Sequence, residues 1–174
     1  LEDKIKKNTI IIGNLPYNIS SQILVKLIKF NKWPPSYKKL ILMFQKEVAD
    51  KILSKYGSSS FGRLTVLSNS RLNIINSFNV SPNSFYPVPK VSSTILVFEP
   101  VINKNFKVKE ITNLEKITHV FFSKKRKMVN KAFKEIFSKP DEVAKKIKVD
   151  VTLRPNQLSE IEYFKITECF EKKL

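Results

Sequence analysis

Thr9-Ile10-Ile11-Ile12-Gly13-Asn14-Leu15-Pro16-Tyr17 is the stretch from which the rest of the chain is read. Three consecutive β-branched isoleucines that stop at a glycine predict a buried strand over residues 9–13. Residues 14–18 then form a loop around Pro16. The strand delivers an amide (Asn14), a carbonyl aimed by a proline ring (Leu15, Pro16) and an aromatic face (Tyr17) to one point. Those groups suit a flat nucleobase that carries an exocyclic amine. The lone pair of such an amine is delocalised into the ring. Acceptors that take hydrogen bonds from its N–H groups favour a more tetrahedral, more nucleophilic nitrogen, and Tyr17 can stack on the base, a contact worth about 1–3 kcal/mol. The bland reading of the same residues is a strand ending in a proline turn. Position favours the chemical one, because open α/β sheets bind ligands at the carboxyl ends of their strands.

Outward from this point, Ser20 or Ser21 can cap a helix running to about Phe30, with Ile23, Leu24, Leu27 and Ile28 on one face. Trp33-Pro34-Pro35 breaks the pattern. Leu40 to Phe44 reads as a second buried strand, with a short helix from Glu47 to Leu53. Tyr56 to Ser60 is a flexible loop, and Phe61 to Leu72 a helix with Leu64, Leu67 and Ser68 in register. Residues 73–80 and 92–98 read as strands with no helix between them, an antiparallel finish to a mostly parallel sheet. After Pro100 the texture changes. A polar linker over 103–109 leads to helical patterns near 110–122, 125–137, 141–147 and 159–172. The expected class is α/β, a partial Rossmann-like sheet over residues 1–102 followed by a small all-α domain over 103–174.

The 174 residues carry 32 Lys+Arg against 15 Asp+Glu, a net charge of +17. The excess is regional, since residues 1–100 hold 14 basic and 5 acidic side chains, residues 101–150 hold 14 and 6, and residues 151–174 hold 4 and 4. Phosphate-bearing partners are the natural inference, because each cation docked on a phosphate releases a counterion. A lysine-rich solvated surface is the plain alternative. No apolar run approaches the length of a membrane span, so no membrane partner is expected. The lone Cys169 cannot form an internal disulfide, which suits a reducing, cytoplasmic setting.

Two further motifs bear on chemistry. In Phe85-Tyr86-Pro87-Val88-Pro89-Lys90-Val91 a stiff loop could set Phe85 against the other face of a base, with Lys90 near a phosphate. Taken alone, a proline-rich crossing with Phe85 in the core is the simpler account. Ser123-Lys124-Lys125-Arg126-Lys127 reads as a phosphate-docking cluster opening a helix with Val129, Phe133 and Phe137 on one face, against the alternative of a solvated helix end. His119 stands among apolar residues and is expected to be packed. No Cys/His spacing suggests a metal. Glycine occurs only at positions 13, 57 and 62, so no glycine-rich phosphate loop is present.

With these residues in view, the chain resembles the small-subunit rRNA adenine N6,N6-dimethyltransferases over nearly its whole length. The resemblance rests on residues 13–20, on Phe44-Gln45-Lys46-Glu47-Val48-Ala49, on Phe61-Gly62-Arg63-Leu64, on residues 85–93, on Lys125-Arg126-Lys127 and on residues 153–159. It implies an S-adenosylmethionine-dependent enzyme that dimethylates two adjacent adenines near the 3′ end of small-subunit rRNA, with a role in assembly of the small ribosomal subunit. Asn14 would border the donor and contact the target amine, Leu15 and Pro16 would supply backbone there, and Tyr17 and Phe85 would sandwich the base. Lys124, Lys125, Arg126 and Lys127 would dock rRNA. Asn130-Lys131 stand where the family carries an Arg-Asn pair. The glycine-rich donor loop and ribose-binding acid that precede this strand in the family are missing, so the chain reads as the C-terminal portion of a member, inactive by itself. The competing readings are a non-catalytic rRNA-binding assembly factor and the antibiotic-resistance type of large-subunit rRNA adenine methyltransferase.

Overall fold

The computed structural model describes residues 2–102 and 108–173. It divides the chain into two compact units, Leu1–Leu53 with Arg71–Asn103, and Ser54–Ser70 with Lys104–Leu174. This division differs from a single cut near residue 102 in grouping residues 54–70 with the later helices. Most of the linker expected over 103–109 lies outside the described residues.

The first unit is built on a four-stranded sheet of β1 (Thr9–Asn14), β2 (Tyr37–Gln45), β3 (Leu72–Val80) and β4 (Ser93–Pro100), in the order β1-β2-β4-β3. β1 runs parallel to β2, whereas β2–β4 and β3–β4 are antiparallel. The antiparallel finish is thus present, but among the described strands it is the larger part of the sheet. Leu40 and Phe44 of β2 are fully buried and Leu42 is 1% exposed. Each such side chain stabilises the fold by roughly 1.5–3 kcal/mol relative to exposure. α1 (Ser20–Ile28) buries Leu24, Leu27 and Ile28, a three-to-four-residue spacing that makes one apolar face. α2 (Lys46–Leu53) carries the exposed Lys46–Asp50 and Lys51–Glu47 pairs on its outer side.

Three expectations in this unit are corrected. β1 is not a buried strand. It lies at the edge of the described sheet, its exposure alternates, and Ile10 and Ile12 are 52% and 74% exposed. Consecutive side chains point to opposite faces of a strand, so three adjacent isoleucines cannot share one face. Neither Ser20 nor Ser21 caps α1. Ile19 is the cap residue, and the Ser20 hydroxyl donates to the Tyr17 carbonyl at 3.2 Å. The third helix, α3, is Arg63–Arg71, and Leu72 already belongs to β3.

Arg71 closes the first unit. Its guanidinium donates from Nη1 to the carbonyls of Ile28 and Phe30, each at 2.8 Å, and lies 4.7 Å from the Trp33 ring centroid. Trp33 in turn donates from Nε1 to the Val101 carbonyl at 2.9 Å. The end of α1, the proline breaker and the strand exit after β4 are thereby joined.

The second unit holds most of α3 with α4 (Ile111–Ser123), α5 (Asn130–Ile136), α6 (Pro140–Ile147) and α7 (Glu160–Glu171). In α3 the buried residues are Thr65, Val66, Leu67 and Ser68, whereas Leu64 is only half-buried. Aromatic rings form the core. Phe121 lies edge-on to Phe133 and Tyr163 at 5.5 and 5.6 Å, and Phe122 stacks on Tyr163 at 5.3 Å. The Tyr163 hydroxyl donates to the Pro155 carbonyl at 2.8 Å, and burial pushes its pKa up, which keeps it a neutral donor. Ser159 and Glu162 make a reciprocal capping box at the start of α7. Cys169 is 6% exposed with its thiol pKa raised by burial, consistent with a packing role. His119, by contrast, is exposed on α4 rather than packed. Among the described residues no helix is long and apolar enough to cross a membrane.

Arg71→Ala should lower the unfolding free energy by about 2–3 kcal/mol, because it leaves two carbonyls unpaired and removes the cation from the Trp33 face. Urea denaturation followed by tryptophan fluorescence reads this directly, and Arg71→Lys should recover part of the loss.

Candidate functional site

β1 ends at Asn14, paired in register with Met43 of β2. Gln45, two residues further along β2, pairs with Ser93, the first residue of β4. Because β4 runs antiparallel to β2, its amino end lies at the carboxyl end of β1 and β2. The connection from β3 to β4, residues 81–92, is at that same end. Register alone therefore brings the Asn14–Tyr17 loop and the Phe85–Pro89 loop together.

A cleft of about 400 Å³ lies between them, lined by Asn14, Leu15, Pro16, Tyr17, Phe85, Tyr86, Pro87 and Pro89. Asn14 is exposed on the outward face of β1. Tyr17 is half-buried, and its hydroxyl shares a 2.7 Å hydrogen bond with Ser93 Oγ. Ser93 itself is fully buried, so the tyrosine ring is anchored on a rigid strand end. The backbone of the loop is closed by the Ile19 amide donating to the Pro16 carbonyl at 3.1 Å. Gly13 allows Leu15 to fold back over the sheet. A Cβ at position 13 would stand 2.9 Å from Leu15 Cδ2 and 3.2 Å from Leu42 Cδ2. Phe85 is half-buried and follows a short 3-10 turn, Pro82–Ser84, whose amide at Asn83 donates to Ser81 Oγ. It is neither a core residue nor free in solvent. Tyr86 is fully exposed at the cleft, an aromatic that the sequence reading did not single out. Its place in a proline-stiffened loop beside Phe85 was the available signal.

Lys90 is exposed and does not line this cleft. The basic cluster belongs to the second unit, and there the expected helix start is corrected. Residues 124–126 form a turn after α4, and α5 begins only at Asn130. The Lys127 amide closes the turn on the Lys124 carbonyl at 2.8 Å. Val129, Phe133 and Phe137 are all buried, as their spacing predicts. Two of the four cations have protein partners: Lys124 pairs with Glu135 at 2.8 Å, and Lys125 donates to the Ser59 carbonyl. Arg126 and Lys127 are exposed. Among the described residues no group of three His, Cys, Asp or Glu side chains is placed to hold a metal ion.

The first unit is thus a mixed α/β sheet with an open cleft at its strand ends, and the second a basic helical unit. The family model described as "Ribosomal RNA adenine dimethylase" matches residues 2–172. The chain is 46% identical over 164 residues to "Ribosomal RNA small subunit methyltransferase A" of Pelagibacter ubique, covering 92% of this chain and 61% of that protein. It is 38% identical over 157 residues to the protein of that name from Buchnera aphidicola, covering 90% and 58%. A crystal structure of a dimethyladenosine transferase from Plasmodium falciparum superposes with a TM-score of 0.78 at 25% identity, over 98% of this chain and 70% of that one. The 23S rRNA methyltransferase ErmE shares the fold, with a TM-score of 0.64 at 16% identity over 95% of this chain. The chain belongs to the ribosomal RNA adenine dimethylase family. Its matches to eight curated relatives span 45–61% of their length.

The Tyr17–Ser93 bond carries a measurable consequence. Tyr17→Phe and Ser93→Ala should each destabilise the chain by about 1 kcal/mol, with a coupling of similar size in the double-mutant cycle. Additive losses in urea titrations of the four proteins would show that the two hydroxyls do not act together.

Proposed function

We propose that this chain supplies the acceptor side of an S-adenosylmethionine-dependent rRNA (adenine-N6,N6)-dimethyltransferase acting on adjacent adenines of small-subunit rRNA. The observation that carries the reading is the cleft in which Asn14, Leu15, Pro16 and Tyr17 meet Phe85. An adenine in that cleft would donate its N6 hydrogens to the Asn14 side-chain carbonyl and the Leu15 carbonyl. Both acceptors draw the amine away from planarity with the ring and raise its nucleophilicity. Tyr17 and Phe85 would stack on the base, replacing the neighbours it loses on leaving the RNA helix. The Tyr17–Ser93 bond holds one of those two walls in place before the base arrives. No acid–base pair is needed to hold the amine, only oriented acceptors and aromatic faces. Membership of the family supports adenine over other aminated bases.

S-adenosylmethionine would supply the methyl group from its sulfonium. Asn14, at the carboxyl end of β1, would border such a donor. Gly13 packs against Leu15 and Leu42, while Gly57 and Gly62 belong to the second unit, so none of the chain's three glycines forms a nucleotide-cradling loop after a strand. The residues present fit the acceptor, and the roles derived above are confined to it. Lys124, Lys125, Arg126 and Lys127 would dock rRNA phosphates, with Lys90 contacting backbone near the acceptor. The assembling small ribosomal subunit, in the cytoplasm, would be the partner. The regional basic charge supports a polyanionic surface of that kind.

A small-subunit rRNA hairpin with 2-aminopurine in place of one of the paired adenines tests the acceptor reading. Binding of this chain should raise the probe's fluorescence as the base leaves its stack. Tyr17→Ala and Phe85→Ala should each reduce that change several-fold. A signal untouched by both substitutions would sink the cleft as the acceptor site.

Docking is tested separately by fluorescence anisotropy across a salt series. Replacing Lys124, Lys125, Arg126 and Lys127 with alanine should weaken hairpin binding about tenfold or more at moderate salt and flatten the dependence of log K on log salt. If neither changes, the basic turn is a solvated surface.

A further inference from the structure

Among the described residues, Arg63 makes no ion pair, and its buried Nε makes no hydrogen bond. It occupies the first turn of α3, where the helix dipole disfavours a cation, and that turn contains no acidic residue. No Asp or Glu occurs anywhere between residues 51 and 98. A half-buried guanidinium with no carboxylate beside it keeps its charge available to an anion from outside.

The loop before Arg63 is fixed rather than loose. The Gly57 amide donates to the Asn156 carbonyl at 2.6 Å, and Asn156 Nδ2 donates to the Ser58 carbonyl at 3.1 Å. Lys125 of the basic turn donates to the Ser59 carbonyl, and the Phe61 ring lies 6.1 Å from Phe122. Gly57 takes φ +89°, a conformation a side chain would resist, so the turn is specific to glycine. This clamp holds Tyr56 in place at 59% exposure, with Lys55 exposed beside it. Tyr56 makes no hydrogen bond or ring contact among the described residues. Three stretches far apart in sequence, 55–63, 122–127 and 154–157, thus form one surface whose charged side chains are all cationic.

We propose that Arg63 and Tyr56 extend the RNA-docking surface of the second unit, Arg63 as a phosphate ligand and Tyr56 as a stacking platform for an unpaired base. This rests on the reading of the chain as an rRNA-binding protein. Arg63 is half-buried, its Nη groups are not among the buried unpartnered atoms, and a guanidinium offers a phosphate two parallel N–H donors. An exposed tyrosine beside a fixed loop presents an apolar face on which a base can stack. The occupant is RNA with unpaired nucleotides, since a uniform duplex offers phosphates to Arg63 but no free base to Tyr56.

The test is anisotropy binding of this chain to a labelled small-subunit rRNA hairpin with an unpaired loop, and to a fully paired duplex of equal length, each over a salt series. Arg63→Gln should weaken binding to both RNAs about five- to tenfold and reduce the salt slope by about 0.7–0.9, one phosphate's share. Arg63→Lys should keep the slope while losing part of the affinity. Tyr56→Ala, at an exposed position that leaves folding intact, should weaken hairpin binding on the order of tenfold, leave the duplex unchanged and leave the slope unchanged. Wild-type levels of binding and slope in both Arg63→Gln and Tyr56→Ala, with the four-alanine variant of 124–127 impaired, would overturn the proposal and leave the docking turn standing. Absence of RNA binding by the unsubstituted chain would overturn both. Should Arg63→Gln fail to fold by circular dichroism, the Arg63→Lys and Tyr56→Ala pair decides.

Discussion

The register of β2 is the constraint on which the first unit depends. This strand pairs on both sides, with β1 in parallel and with β4 in antiparallel, and its core residues Leu40, Leu42 and Phe44 are essentially inaccessible to water. A slip of one residue would turn those side chains outward, so burial enforces the pairing. That pairing sets Asn14 against Met43 and Ser93 against Gln45. The two residues that begin and brace the cleft are thus carried by different neighbours of the same strand, two positions apart. The site's geometry is inherited from the core and does not need a dedicated scaffold of its own.

How much of this was legible follows from what kind of force positions each part. The Asn14–Tyr17 loop was readable because strand, glycine, proline and aromatic are local signals in consecutive positions. Phe85 was readable only as a candidate, since what brings its loop beside the end of β1 is the antiparallel return of β4, a long-range fact. Tyr86 was missed for the same reason. Ile10-Ile11-Ile12 misled because β-branching reports strand, and only pairing reports whether a strand is central or at an edge. The grouping of residues 54–70 with the later helices has no compositional signal, because composition places a helix but not its neighbours. What binds them to the later helices is a set of single contacts, Gly57 with Asn156, Lys125 with Ser59, and Phe61 with Phe122. None has a periodic signature.

The charge distribution has a similar lesson. The run Lys124-Lys125-Arg126-Lys127 draws the eye, yet Lys124 is paired with Glu135 and Lys125 is occupied by a backbone carbonyl. Exposed ion pairs of this sort are worth little, so Lys124 remains available to a stronger anion. Arg63, isolated in sequence, has the less satisfied environment. A cation's pull on a phosphate depends on what it gives up to bind. Lys124 gives up a screened carboxylate, whereas Arg126, Lys127 and the accessible part of Arg63 give up only water.

The two units therefore divide the work by type of interaction. The first offers a small, largely uncharged cleft of acceptors and rings, suited to one base and indifferent to salt. The second offers cations and an exposed ring on a surface held by backbone hydrogen bonds, suited to a polyanion and sensitive to salt. Base chemistry needs orientation within a fraction of an ångström, which a strand end braced by a buried serine can supply. Phosphate docking tolerates looser geometry and gains from number.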